Sequence, residues 1–148
     1  MGTKFNKEEV NLISYRILRS FGVDTSLSGF NIAMALIWRA YDAESKLRFT
    51  GEDGIYAELA PLFNTTKSGI ERAVRHLIAC LERDGNKDSI KALFPSSHLS
   101  TNSAFIYGIV NYIKYELGYV RCVADPDGEK SLTAFTALPQ LEFANKEG

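Results

Sequence analysis

The sequence predicts a mainly α fold: a six-helix domain containing a helix-turn-helix, continued by a C-terminal β-hairpin. Three observations predict it. Apolar residues recur at three- and four-residue spacing through most of the chain up to Gly118. Helix-starting residues (Asn, Asp, Thr) and helix-stopping glycines separate those stretches. Past Gly118 the pattern changes to short β-branched and aromatic runs on either side of a turn signal.

The first helix is expected after Asn6, which with Glu9 three residues on makes a capping pair; Val10, Ile13, Ile17, Leu18 and Phe21 then trace its buried stripe, and Gly22 stops it. Asp24 to Ser28 is rich in turn and cap residues. Phe30, Ala33, Leu36, Ile37, Ala40 and Tyr41 make a second amphipathic helix that ends near Ala43, with Trp38 off the centre of the stripe as partly buried packing. Lys46 to Gly54 is a polar connection broken by Thr50-Gly51 and Asp53-Gly54.

A scaffold helix over 55–63 follows, with Ile55, Leu59, Leu62 and Phe63 inward, and Pro61 near its end is expected to kink or finish it. Asn64-Thr65-Thr66 is a turn and N-cap cluster. The next helix buries Ile70, Ala73, Val74, Leu77, Ile78 and Leu81, while Ser68, Glu71, Arg72 and Arg75 line up along its opposite side. Two helices joined by a tight turn, the second with one apolar and one charged face, have the outline of a DNA-reading helix-turn-helix.

After Asp84-Gly85-Asn86, Asp88 is expected to cap a short helix carrying Ile90, Leu93 and Phe94. A long final helix starts at Thr101 or Asn102 and buries Phe105, Ile106, Ile109, Ile113 and Leu117. Tyr119 to Ala124 and Leu132 to Leu138, around Asp125-Pro126-Asp127-Gly128, read as the hairpin. Residues 6–118 are thus the helical domain and 119–148 its extension, with Pro139 to Gly148 as a tail.

At Phe63-Asn64-Thr65-Thr66, Ser68, Glu71-Arg72-Ala73, Arg75-His76, Gly85-Asn86, Asp88-Ser89-Ile90, Leu93-Phe94, Thr101-Asn102-Ser103 and Phe105-Ile106 the sequence resembles the C-terminal effector domain of stage zero sporulation protein A, a sporulation response regulator. The resemblance spans Ile13 to Leu117 and is densest from Phe63 onward. It implies six helices, a winged-helix-like DNA-binding module, double-stranded DNA as partner, and binding to a TGTCGAA-like element as paired or tandem copies. RNA polymerase or another regulator is a further expected partner. One departure stands out: where the family usually has an arginine that takes part in base recognition, this chain has Gly69, so the expected site either differs from the TGTCGAA-like element or is read less strictly. A receiver domain normally precedes the effector. Only a handful of residues lie ahead of the first helix here, so we expect none, and control from a partner, from abundance or from the hairpin.

Arg72 and Arg75 are the expected base readers, because a guanidinium fork matches guanine O6 and N7 in the major groove. Glu71 is expected to accept from cytosine N4 or to hold an arginine; with Ser68 it also fits a capping box, which would occupy its carboxylate. Thr65, Thr66, Lys67, Ser68 and His76 surround the helix start and are candidates for phosphate contact.

Charge separates the reading helix from the rest. The whole chain has a net charge of −1 and a pI near 6.1, which argues against indiscriminate coating of nucleic acid. Between Asn64 and Ala79, Lys67, Arg72 and Arg75 against Glu71 leave a local charge of +2. The two cysteines, Cys80 and Cys122, lack disulfide-scaffold or metal-site spacing, and Cys80 beside the apolar stripe reads as a small core residue. His76 and His98 have no partners at catalytic spacing, and no nucleophile motif or phosphate-cradling glycine loop occurs. We expect no enzyme, no metal and no cofactor. With no membrane-length apolar run and no signal-peptide core, a cytoplasmic location is the expectation. The competing class is a protein-interaction module or antagonist, an effector-like fold whose DNA contacts are weakened at Gly69.

Overall fold

The computed structural model describes residues 4–96, 99, 101–118, 120 and 121. Six α-helices follow in the order expected: α1 (Lys7–Phe21), α2 (Ser28–Asp42), α3 (Ile55–Leu59), α4 (Lys67–Asp84), α5 (Lys87–Leu93) and α6 (Asn102–Asn111). Of the expected hairpin, Val120 and Arg121 are helical and the remainder lies outside the described residues.

Local chemistry sets the ends of these helices. Asn6 and Glu9 exchange side-chain and backbone hydrogen bonds in a full capping box at the start of α1. Gly22 closes α1 in the left-handed region (φ 97°), where its N–H reaches back to the Leu18 and Arg19 carbonyls. One expected cap moves, and of the two residues offered for the last helix the first is the cap. Asn86, not Asp88, accepts from the Ser89 amide and caps α5, leaving Asp88 in the first turn; for α6, the Thr101 hydroxyl accepts from Ala104 N. Past Asn111 the final helix widens into a π-helical stretch, Tyr112–Leu117.

Every apolar position assigned to the α1 and α2 stripes is buried. The same holds for Ile70, Val74, Leu77, Ile78 and Leu81 of α4 and for Phe105, Ile106, Ile109, Ile113 and Leu117 at the chain's end. α2 is the central helix, packed on α1, α4 and α6. Its crossing with α4 depends on Gly29, where a Cβ would come within 2.6 Å of the Ala73 carbonyl oxygen and 3.2 Å of Leu77 Cβ. An aromatic cluster of Phe21, Phe94 and Phe105 joins α1, α5 and α6, with the Phe94 and Phe105 rings stacked 5.8 Å apart.

The scaffold helix differs from expectation. α3 ends at Leu59, and the chain goes on as a 3₁₀ turn, Ala60–Phe63, with Pro61 in its first positions, where a missing N–H costs nothing. Leu62 is not inward: it is 73% exposed, and Tyr56 and Ala60 fill the inner side beside Ile55 and Leu59, with Phe63 half-buried. Arg39 of α2 grips Glu58 of α3 through two hydrogen bonds, of 2.6 and 3.1 Å, which fixes α3 against the centre of the bundle. Among the described residues no helix is long and apolar enough to cross a membrane.

Candidate nucleic-acid interface

The turn into α4 is made by three residues with distinct roles. Asn64 takes the left-handed conformation (φ 54°), which asparagine tolerates better than other side chains, and its N–H meets the Pro61 carbonyl. Thr65 donates its amide to the Ala60 carbonyl at 3.0 Å. Thr66 is extended, and its hydroxyl oxygen accepts from the Gly69 amide at 3.0 Å, so Thr66 is the N-cap. This corrects the capping box expected from Ser68 and Glu71: the cap lies two residues earlier, Gly69 occupies the third helical position, and the Glu71 carboxylate is left for other use.

That carboxylate holds Arg75. Glu71 Oε2 lies 2.6 Å from Arg75 Nη2 across one helical turn, with the two side chains 39% and 61% exposed. The Glu71 backbone is held as well. Asn102 donates from its amide nitrogen to the Glu71 carbonyl at 3.0 Å and to the Tyr56 hydroxyl at 3.1 Å, linking the start of α6 to both helices of the motif. Burial pushes the Tyr56 phenol above its ordinary pKa, opposed by the bond from Asn102. Asn102 and Tyr56 were not singled out from sequence as holding the motif together; the only signal was the Thr101-Asn102-Ser103 block, whose position opposite α4 is a tertiary fact.

Ser68, Arg72, Arg75 and His76 are all exposed, on the side of α4 opposite its buried stripe. Arg72 makes no hydrogen bond or ion pair among the described residues. Lys67 is instead engaged, its ammonium 2.8 Å from Glu52 Oε2. That pairing lowers the pKa of the Glu52 carboxyl. His76 Nε2 lies 3.6 Å from Cys80 Sγ, and Cys80, also 3.7 Å from Arg83 Nη2, is half-buried at the edge of the helix rather than a core residue. Beside this face a groove of about 390 Å3 is lined by Thr50, Glu71, Arg75, Thr101 and Ser103.

Gly69 sits half-buried in the first turn of α4, and a Cβ there would overlap Thr65 Oγ1. Its glycine therefore does more than omit a side chain: it makes room for the Thr65 hydroxyl to lean over the helix start.

The sequence model of the family described as sporulation initiation factor Spo0A C terminal matches residues 14–113. The chain belongs to that family. The match runs from Ser14 in α1 to Ile113 near the end of the last helix and so takes in the whole exposed face of α4. The Spo0A C-terminal domains are DNA-binding effector domains of response regulators, a family of transcription regulation in sporulation and not of enzymes. No solved structure matches the chain.

Proposed function

We propose that this Spo0A C-terminal domain is a sequence-specific transcription regulator that places α4 in the major groove of double-stranded DNA. The observation that carries the reading is the exposed row on α4: Arg72 unengaged among the described residues, and Arg75 already oriented by Glu71. Arg72 and Arg75 read guanine edges, with Glu71 accepting from a cytosine or steering Arg75. Thr65, Thr66, Ser68 and His76 lie around the helix start, where hydroxyls and an imidazole reach phosphates. The Thr66 oxygen that caps α4 still has its own hydrogen to donate, so capping and phosphate contact are compatible. Lys67 joins them by exchanging Glu52, an exposed partner, for a phosphate. Binding as paired or tandem copies, and contact with RNA polymerase or another regulator, complete the reading.

The test is a salt series of binding to a TGTCGAA-like duplex and to a scrambled one. Specific binding keeps a preference of about 10³-fold or more over the scrambled duplex. Equal affinities that fall together with salt reflect phosphate attraction alone and favour the interaction-module reading.

A further inference from the structure

Two grooves adjoin where the C-terminal end of α2 meets the final helix. One, of about 370 Å3, has Lys4 and Tyr41 in its walls, and the other, of about 310 Å3, has Lys46 and Tyr107; Glu44, Lys114 and Tyr115 line both. We propose that the cleft they form binds a nucleoside phosphate, its phosphates held by the lysines and its base laid on the Tyr115 ring.

The first feature that chooses this ligand is positive charge without matching carboxylates. Among the described residues Lys4, Lys46 and Lys114 form no ion pair, and Glu44 is the one acid in either lining. Lys46 Nζ instead lies 5.5 Å from the centre of the Tyr107 ring, and Lys114 Nζ 5.9 Å from that of Tyr41. Such contacts are weak where water has access, so both ammonium groups are at liberty to turn to a phosphate.

The second feature is the rings. Tyr41 and Tyr107 are fixed walls, because the Phe5 amide donates to the Tyr41 hydroxyl at 2.8 Å and the Leu47 amide to that of Tyr107 at 2.9 Å. Tyr115 is 69% exposed and makes no hydrogen bond or ring contact among the described residues. An open aromatic ring beside a lysine is a platform for a nucleobase.

Glu44 is the third. A carboxylate common to both grooves repels a ligand that is anionic throughout, such as an acidic peptide, yet accepts hydrogen bonds from sugar hydroxyls or a base amino group. A nucleoside phosphate combines an anionic end, such donors and a flat ring. Lys114 and Tyr115 belong, moreover, to the π-helical stretch Tyr112–Leu117, a widened turn of the kind that recurs at functional sites. None of these residues belongs to the exposed row on α4, so this site stands or falls independently of DNA reading.

The test uses the full chain without DNA and follows the anisotropy of an N-methylanthraniloyl derivative of ADP. Saturable binding that unlabelled ADP reverses is expected. Tyr115→Ala and Lys114→Ala should each weaken it about tenfold, the value of one stacked base or one charged hydrogen bond, with helical circular dichroism retained. Lys91→Ala, which removes an exposed charge on α5, should bind as the parent does. Absence of saturable binding, or affinity unchanged by Tyr115→Ala and Lys114→Ala, would overturn the proposal. So would displacement by inorganic pyrophosphate or by a glutamate-rich peptide as readily as by ADP, since the lysines would then attract any anion.

Discussion

Glu71 and Arg75 form an ion pair at 2.6 Å along the exposed side of α4, one turn apart and both open to solvent. Such an i, i+4 pair contributes only about 0.3–0.5 kcal/mol to folding. Its value lies in orientation, since an arginine held in one rotamer loses less entropy on meeting a base edge. Glu71→Gln is therefore expected to leave the melting temperature almost unchanged and to weaken binding to the preferred duplex more than to a scrambled one. Equal weakening of both, measured by titration at one salt concentration, would assign Glu71 no part in reading.

Arg72→Ala should cost about 1–3 kcal/mol of specific binding, the value of one bidentate base contact, with little change in stability because the side chain has no partner among the described residues. If the variant binds every duplex as the parent does, Arg72 reads nothing.

Leu77→Ala acts on folding instead. Leu77 is 1% exposed and sits where Gly29 brings α2 against α4, so truncation leaves a cavity in a crossing that has little freedom to collapse. The expected loss is about 2–5 kcal/mol in denaturant unfolding. A loss below half a kcal/mol would mean that this crossing is looser than its geometry.

Gly69→Arg is expected to sharpen discrimination for a TGTCGAA-like duplex. The new Cβ forces the exposed Thr65 hydroxyl to rotate, which offsets part of the roughly 1 kcal/mol gained by replacing a helical glycine. Gly69→Ala separates the two effects: it should stay within about 1 kcal/mol of the parent in stability and show no sharpening. A preference that is unchanged or reduced in Gly69→Arg, compared at one salt concentration, would argue that this domain docks differently from its relatives.

Alkaline stability tests the last helix. Tyr112 is buried, its hydroxyl has no hydrogen-bond partner among the described residues, and burial, aided by Glu116, raises its pKa to about 12. The unfolded chain ionises near the ordinary value of about 10 and so binds fewer protons than the native state above it. Stability should accordingly fall as pH rises from about 10 to about 12. Tyr112→Phe keeps the ring and removes the ionisation, so its unfolding free energy should decline less over that range; parallel declines in parent and variant would place the alkaline sensitivity in other groups.

Helix existence and register were legible in the sequence because both depend on neighbours three and four residues away. The stripe from Ile70 to Leu81 specifies which side of α4 is buried whatever it packs against. Asn6 with Glu9, and Gly22, mark the ends of α1 because capping is settled within one turn. The row of Ser68, Arg72 and Arg75 followed from the same periodicity, and the family followed from residue blocks between Phe63 and Ile106.

Tertiary packing decided the rest. Ser68 with Glu71 and Thr66 with Gly69 both satisfy local capping rules, and only the path of the chain through Asn64 selects Thr66. Leu62 satisfies the inward period of α3, yet that short element packs through Tyr56, Leu59 and Ala60, and Leu62 is left in solvent. The bonds from Asn102 to Tyr56 and Glu71, and the approach of Gly29 to Ala73, join residues far apart in the chain. No local period encodes such pairs, because they exist only once the packing of whole helices has set the distance between them.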